Sequence, residues 1–171
     1  MIDITQTLKD EHQNILRVMQ LAEFQCADIE AGKPIDEPFF NELFDFIAHY
    51  VDKFHHAKEE DILFESMLRN EGHLHCNPVP VMLYEHNQGR DFLKEMRDAL
   101  SRMHAEELIM ATRSYIDLLS NHIFKEDQVL YPMAEDAIAD DEKRRINEAY
   151  QKAEQHVKAS FDIDKLEVFG R

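Results

Sequence analysis

Apolar positions recur along most of this chain at steps of three or four residues, the spacing that keeps side chains on one face of a helix. Helix breakers divide the pattern into five stretches. The first runs from about Thr5 to Ala31 and stops at Gly32-Lys33-Pro34. The second starts near Asp36, an N-cap residue type, tolerates Pro38 in its first turn, and lasts to Asn70-Glu71-Gly72. After a loop from His73 to Pro80, a third spans about Val81 to Met103, and a fourth about Ala105 to Leu130, where Pro132 ends or kinks it. A more polar fifth fits Asp141 to Ser160, and its run Asp140-Asp141-Glu142-Lys143-Arg144-Arg145 reads as a solvated face. No period-two run is long enough for a sheet. The pattern predicts an all-α fold, an antiparallel up-down four-helix bundle with an additional C-terminal helix. It reads as a single domain over 1–171, with the bundle at about 5–132 and the helix and tail at about 133–171.

The seams of the four main helices share an anomaly. They read Leu8, His12, Ile15, Met19, Ala22, Cys26; then Phe44, Ala48, Val51, His55, Glu59, Ile62; then Val79, Met82, His86, Gly89, Leu93, Met96, Leu100; and Leu108, Thr112, Tyr115, Leu119, His122, Glu126, Val129. A histidine interrupts every stripe, and a glutamate follows four residues later in two of them. Desolvating a carboxylate without compensation costs several kcal/mol, whereas a bound cation turns imidazole nitrogen and carboxylate oxygen into its ligands. The coincidence points to metal.

The two halves also repeat one another. Glu11-His12 is answered by Glu85-His86. The segment from His55 to Phe64 is answered by that from His122 to Tyr131 at a constant offset of 67, with the shared pattern H-x-x-K-E-[ED]-x-[IV]-L-[FY]. His and Glu four apart share a helical face about 6 Å apart along the axis and can reach one ion. His56 and Glu60 have the same spacing. The repeat favours His55 and Glu59, because extending the other face backwards meets His49, Asp52 and Lys53, a solvated set. His49, His56, His104 and His156 read as surface or supporting residues. Glu11, Glu60 and Glu85 are candidates to orient ligand histidines on neighbouring helices.

Composition narrows the partners. The 171 residues carry 35 acidic against 19 basic side chains, a net charge of −16, which repels phosphate backbones and anionic lipid heads. No apolar run reaches the ~18–20 residues of a membrane span, and no basic-then-apolar leader opens the chain. Two cysteines, Cys26 and Cys76, make no disulfide framework, so the expected compartment is the cytoplasm. Cys26 reads as a small buried hydrophobe. Five apolar tail residues, Phe161, Ile163, Leu166, Val168 and Phe169, hint at docking or a homodimer contact.

If two ions share the site, four imidazoles, two bridging carboxylates and an oxo, hydroxo or water bridge fill most of two octahedra and leave about two positions open. Nitrogen and carboxylate donors with open positions suit iron that meets O2, and the same set also accepts manganese or zinc. Gly89, one turn after His86, either leaves space beside the metal or lets two helices approach closely.

These motifs resemble the hemerythrin-like, HHE cation-binding family over roughly His12 to Pro132. The resemblance implies a four-helix bundle around a non-haem di-iron centre with an oxo or hydroxo bridge. The implied ligands are His12, His55, Glu59, His86, His122 and Glu126. It also marks two departures. Oxygen-carrying members have a second histidine one turn along helix 3, where this chain has Arg90, and Tyr115 is a further candidate for that place. They tend to have an Asp five residues after the helix-4 histidine; Asp127 stands there, while the repeat argues for Glu126. The expected function is binding of O2 or a related small molecule, NO or peroxide, for sensing, storage or detoxification. The alternatives are iron handling and a di-iron redox enzyme.

Overall fold

A computed structural model describes residues 2–157, and the tail bearing Phe161 to Phe169 and the His156 side chain lie outside the described residues. Five helices build the described chain, with no strand among these residues. Helix α1 is Gln6–Glu30. Helix α2 covers residues 37–69 and is regular only at its ends, Glu37–Phe46 and Glu65–Arg69. Between them, Ile47–His56 and Glu59–Phe64 open into wide turns closed by i→i+5 hydrogen bonds. Helix α3 is Val79–Ser101. Helix α4 covers residues 105–137, with one wide turn at Glu126–Leu130. Helix α5 is Asp140–Val157.

The boundaries have local causes. The Asp3 carboxylate accepts from the backbone N–H groups of Thr5 and Gln6 and so caps the start of α1. The left-handed Gly32, at φ 90°, closes the end of α1. Asp36 caps α2 by accepting from the Phe39 N–H at 3.1 Å. Helix α3 begins two residues earlier than the pattern predicts. Asn77 accepts from the Val79 N–H, and Pro80 sits in the first turn, where no N–H is needed. His104 caps α4 through Nδ1, which accepts from Glu107. Pro132 does not end α4. The wide turn just before it has already interrupted the i→i+4 ladder, so its missing N–H costs little.

The core is layered. One apolar cluster gathers Ile15, Val18, Phe40, Phe44, Val51, Met96, Leu108 and Leu119. The other gathers Leu8, Leu63, Phe64, Met82, Leu130, Tyr131, Ile146 and Tyr150. Every main helix passes from one cluster to the other: α1 and α3 run from the second to the first, α2 and α4 the opposite way, which is the up-down arrangement. Between the clusters lies a buried polar layer. It holds His12 from α1, His55, His56 and Glu59 from α2, His86 from α3, and His122 and Glu126 from α4.

The wide turns shift the seams. In α2 the stripe passes from Glu59 to Leu63 and Phe64, leaving Ile62 only half-buried. In α4 it passes from Glu126 to Leu130, and Val129, expected on the seam, is 49% exposed. A turn of more than four residues carries the inward direction one position further than a regular helix does.

Helix α5 is not a plain solvated face. Ile146 and Tyr150 join the second cluster. Glu142 accepts from Ser66 and Asn70 of α2, and the buried Lys143 donates to the Glu135 carbonyl at 2.7 Å. Further along, its Glu154 and Tyr150 lie beside the buried Lys58 of α2. No helix among the described residues is long and apolar enough to cross a membrane.

Candidate metal centre

The six residues singled out by the repeat, His12, His55, Glu59, His86, His122 and Glu126, are brought together in the polar layer, each 2% exposed or less. A seventh joins them. His56, read from the sequence as a surface or supporting residue, is 5% exposed, and its ring stacks on that of His86 with centroids 3.7 Å apart. The expectation that its face is solvated fails because the wide turns of α2 let two consecutive residues face inward. The repeat held a signal for this: the offset of 67 pairs His56 with Ile123, a buried apolar residue.

The donors fall into two quartets, His12, His55, Glu59, Glu126 and His56, Glu59, His86, His122, whose ligand atoms all lie within 4.8 Å of one another. Glu59 belongs to both. Glu126 also spans them, with Oε1 3.1 Å from His122 Nε2 and Oε2 3.3 Å from His12 Nε2. His86 and His122 turn their Nε2 atoms towards one another at 3.0 Å.

Carboxylates fix these orientations, and they pass the role from helix to helix. Glu11 of α1 holds His55 Nδ1 at 2.9 Å. Glu60 of α2 holds His86 Nδ1 at 2.7 Å, Glu85 of α3 holds His122 Nδ1 at 2.9 Å, and Asp127 of α4 holds His12 Nδ1 at 2.9 Å. Each carboxylate follows or precedes a site residue in sequence yet serves the next helix, because adjacent helical residues point about 100° apart. Asp127 is thus a support, and Glu126 points into the layer. With Nδ1 occupied, each of these four rings presents Nε2 inward. The motif lysines anchor two of the supports: Lys58 pairs with Glu11 and Lys125 with Glu85. Arg90 does not enter the layer. It binds Asp52 and Glu60, each through a nitrogen 2.7–2.8 Å away.

Burial and the layer's own carboxylates set the charge of its side chains. Burial holds His55 and His56 well below the usual imidazole range, so both are neutral. Burial acts the same way on His122, yet the charge and close approach of Glu126 and the bond to Glu85 outweigh it and raise that ring to about 9. Glu59 is pushed well up by burial and by the neighbouring charge of Glu126. Several buried atoms of the layer also lack a well-formed hydrogen bond: both nitrogens of His56, Oε2 of Glu59, and both oxygens of Glu126, which His12 and His122 meet only as ion-pair contacts. A cation satisfies these donors at one stroke, so the residues fit a metal site.

Beside His56, His86 and His122 lies a cavity of about 20 Å³, room for a molecule the size of water. Its wall includes Ile47, Val51, Leu93, Tyr115, Leu118 and Leu119. Gly89 also lines it, and a Cβ there would stand 3.4 Å from Tyr115 Cε2. The glycine thus serves both close packing against α4 and the open space. Tyr115 is a wall of this cavity rather than a replacement for a helix-3 histidine. Cys26 is buried, with its thiol pushed up to about 11 chiefly by burial, and Cys76 is exposed; neither touches the site.

The model of the hemerythrin HHE cation-binding domain matches residues 3–134, so the chain belongs to that family. No curated protein and no solved structure matches it significantly. Family and geometry together define a metal-cation-binding helical bundle.

Proposed function

We propose that this chain is a non-haem di-iron protein that binds O2 or a related small molecule, NO or peroxide, for sensing, storage or detoxification. The observation that carries the reading is the convergence of buried donors, several of them without a well-formed hydrogen bond, into two quartets next to a small, largely apolar cavity.

In this reading His12, His55, Glu59 and Glu126 hold one ion, and His56, His86, His122 and Glu59 hold the other. His56 supplies the imidazole that the resemblance places on α3. Iron, when bound, supplies reversible one-electron chemistry and open coordination positions for a small ligand. The protein's own groups do the rest. Glu11, Glu60, Glu85 and Asp127 keep four imidazoles in the tautomer that presents Nε2. Ile47, Val51, Leu93 and Leu119 give the space beside His56 a largely apolar wall, and its volume of about 20 Å³ suits a small molecule. Manganese or zinc would use the same donors. Iron delivery to an acceptor finds less support, because no donor of the two quartets is more than 5% exposed.

The test is the metal content of protein purified without added metal, with visible spectra recorded before reduction, after it, and after return to air. Two irons per chain, with a spectrum restored by air and lost in Glu126→Ala, are expected. Metal-free protein, or a single zinc unaffected by Glu126→Ala, would overturn the proposal.

A further inference from the structure

We propose that the phenol oxygen of Tyr131 is a further metal donor, completing the set of His12, His55, Glu59 and Glu126. The inference rests on the two-ion reading above and adds a ligand to it.

The internal repeat exposes the residue. At the offset of 67, Tyr131 answers Phe64, and the two rings do the same packing work. Phe64 stacks on His86 at 5.8 Å with 21° between planes, and Tyr131 stacks on His12 at 5.5 Å and 9°. An apolar ring suffices for that contact, so the hydroxyl of Tyr131 is surplus to packing. It is nevertheless fully buried, where a hydroxyl needs partners.

Both of its partners are site donors. The hydroxyl donates to Glu59 Oε1 at 2.6 Å and lies 3.3 Å from His12 Nε2. Two donors at right angles on one ion, each with a bond of about 2.1 Å, stand about 3 Å apart. The phenol oxygen keeps that spacing to two members of the quartet at once. Binding exchanges the phenolic proton for the cation; the proton leaves to water.

The donor balance agrees. The repeat is broken chemically at two inward-facing positions, His56 against Ile123 and Tyr131 against Phe64. The first break gives the His86 and His122 ion a third imidazole. The second gives the His12 and His55 ion, which has only two, an oxygen. The two ions are then inequivalent, one richer in nitrogen and one carrying a phenolate.

The experiment is visible absorption and resonance Raman spectroscopy on the full chain loaded with iron(III), with metal content measured on the same samples. An intense tyrosinate-to-iron charge-transfer band with enhanced phenolate ring vibrations is expected. Tyr131→Phe should abolish both while keeping two irons per chain, and Tyr115→Phe and Tyr150→Phe should keep them. Iron-loaded protein without phenolate vibrations, or vibrations that survive Tyr131→Phe, would overturn the assignment and leave Tyr131 a hydrogen-bond donor to Glu59. The wild-type spectrum decides the first of these whether or not the variant folds. Protein that takes up no iron would overturn the two-ion reading together with this one.

Discussion

Replacing Lys58 by Met removes the cation that stands behind Glu11, and the internal repeat supplies its own control. Lys58 and Lys125 occupy the same motif position, and each pairs with the carboxylate that holds a site histidine. Their surroundings differ. The Lys58 side chain is 1% exposed, lies 3.9 Å over the Phe54 ring, and is covered by α5 through Glu154 and Tyr150. The Lys125 side chain is 39% exposed. Breaking a buried pair by removing one partner costs about 3–5 kcal/mol, whereas an exposed pair is worth about 0.2–1 kcal/mol. Lys58→Met should therefore destabilise the metal-free protein by about 3 kcal/mol, and Lys125→Met by less than about 1 kcal/mol. For a chain of this length the first corresponds to a fall in Tm of about 6–12 °C. Urea unfolding monitored by helical circular dichroism, with a common m value, measures both. Adding Glu11→Gln to Lys58→Met should restore about half of the loss, since no unpaired carboxylate then remains buried. Equal losses in the two lysine variants, or strict additivity in the Glu11 and Lys58 cycle, would refute the argument from burial.

Three further outcomes follow from the same geometry. Iron(II) added at 100 times its dissociation constant should stabilise the protein by about 2.7 kcal/mol per site, seen as a rise in Tm that a chelator reverses and Glu126→Ala abolishes. Gly89→Leu should fill the cavity against Tyr115 at a cost of about 1–3 kcal/mol. It should also slow azide binding to the iron-loaded protein at least tenfold by stopped-flow absorbance, with metal content unchanged. Met103 holds a left-handed backbone at φ 51° just past α3, a conformation costing a non-glycine residue about 1 kcal/mol. Met103→Gly should raise stability by about 0.5–1 kcal/mol in thermal unfolding, with no effect on metal uptake.

The sequence by itself determined the helical class, most of the four seams and the six inward residues of the repeat. These are local consequences of periodicity: a residue's face follows from its distance to neighbours three and four positions away. The burial of His12, His55, Glu59, His86, His122 and Glu126 was legible on that basis alone. Tertiary structure decided what periodicity assumes away. The wide turns in α2 and α4 change the angle per residue, so His56 turns inward and Val129 outward. A local pattern cannot reveal this, because the turns lie where the residues that gather around the polar layer come together.

The closed circuit of supports is also a property of assembly. Asp127 reaches His12 across 115 positions of sequence, and only the packing of α4 beside α1 brings them together. Tyr131 stands at the last, aromatic position of the ten-residue motif, where Phe64 is its counterpart. Its hydroxyl acquires meaning from Glu59 and His12, on two other helices. The covering of Lys58 by α5 belongs to the same group, since an acidic amphipathic helix reads alike whether it faces water or a buried cation. Periodicity chose which side chains go inside; the meeting of four helices decided which of their atoms face one another.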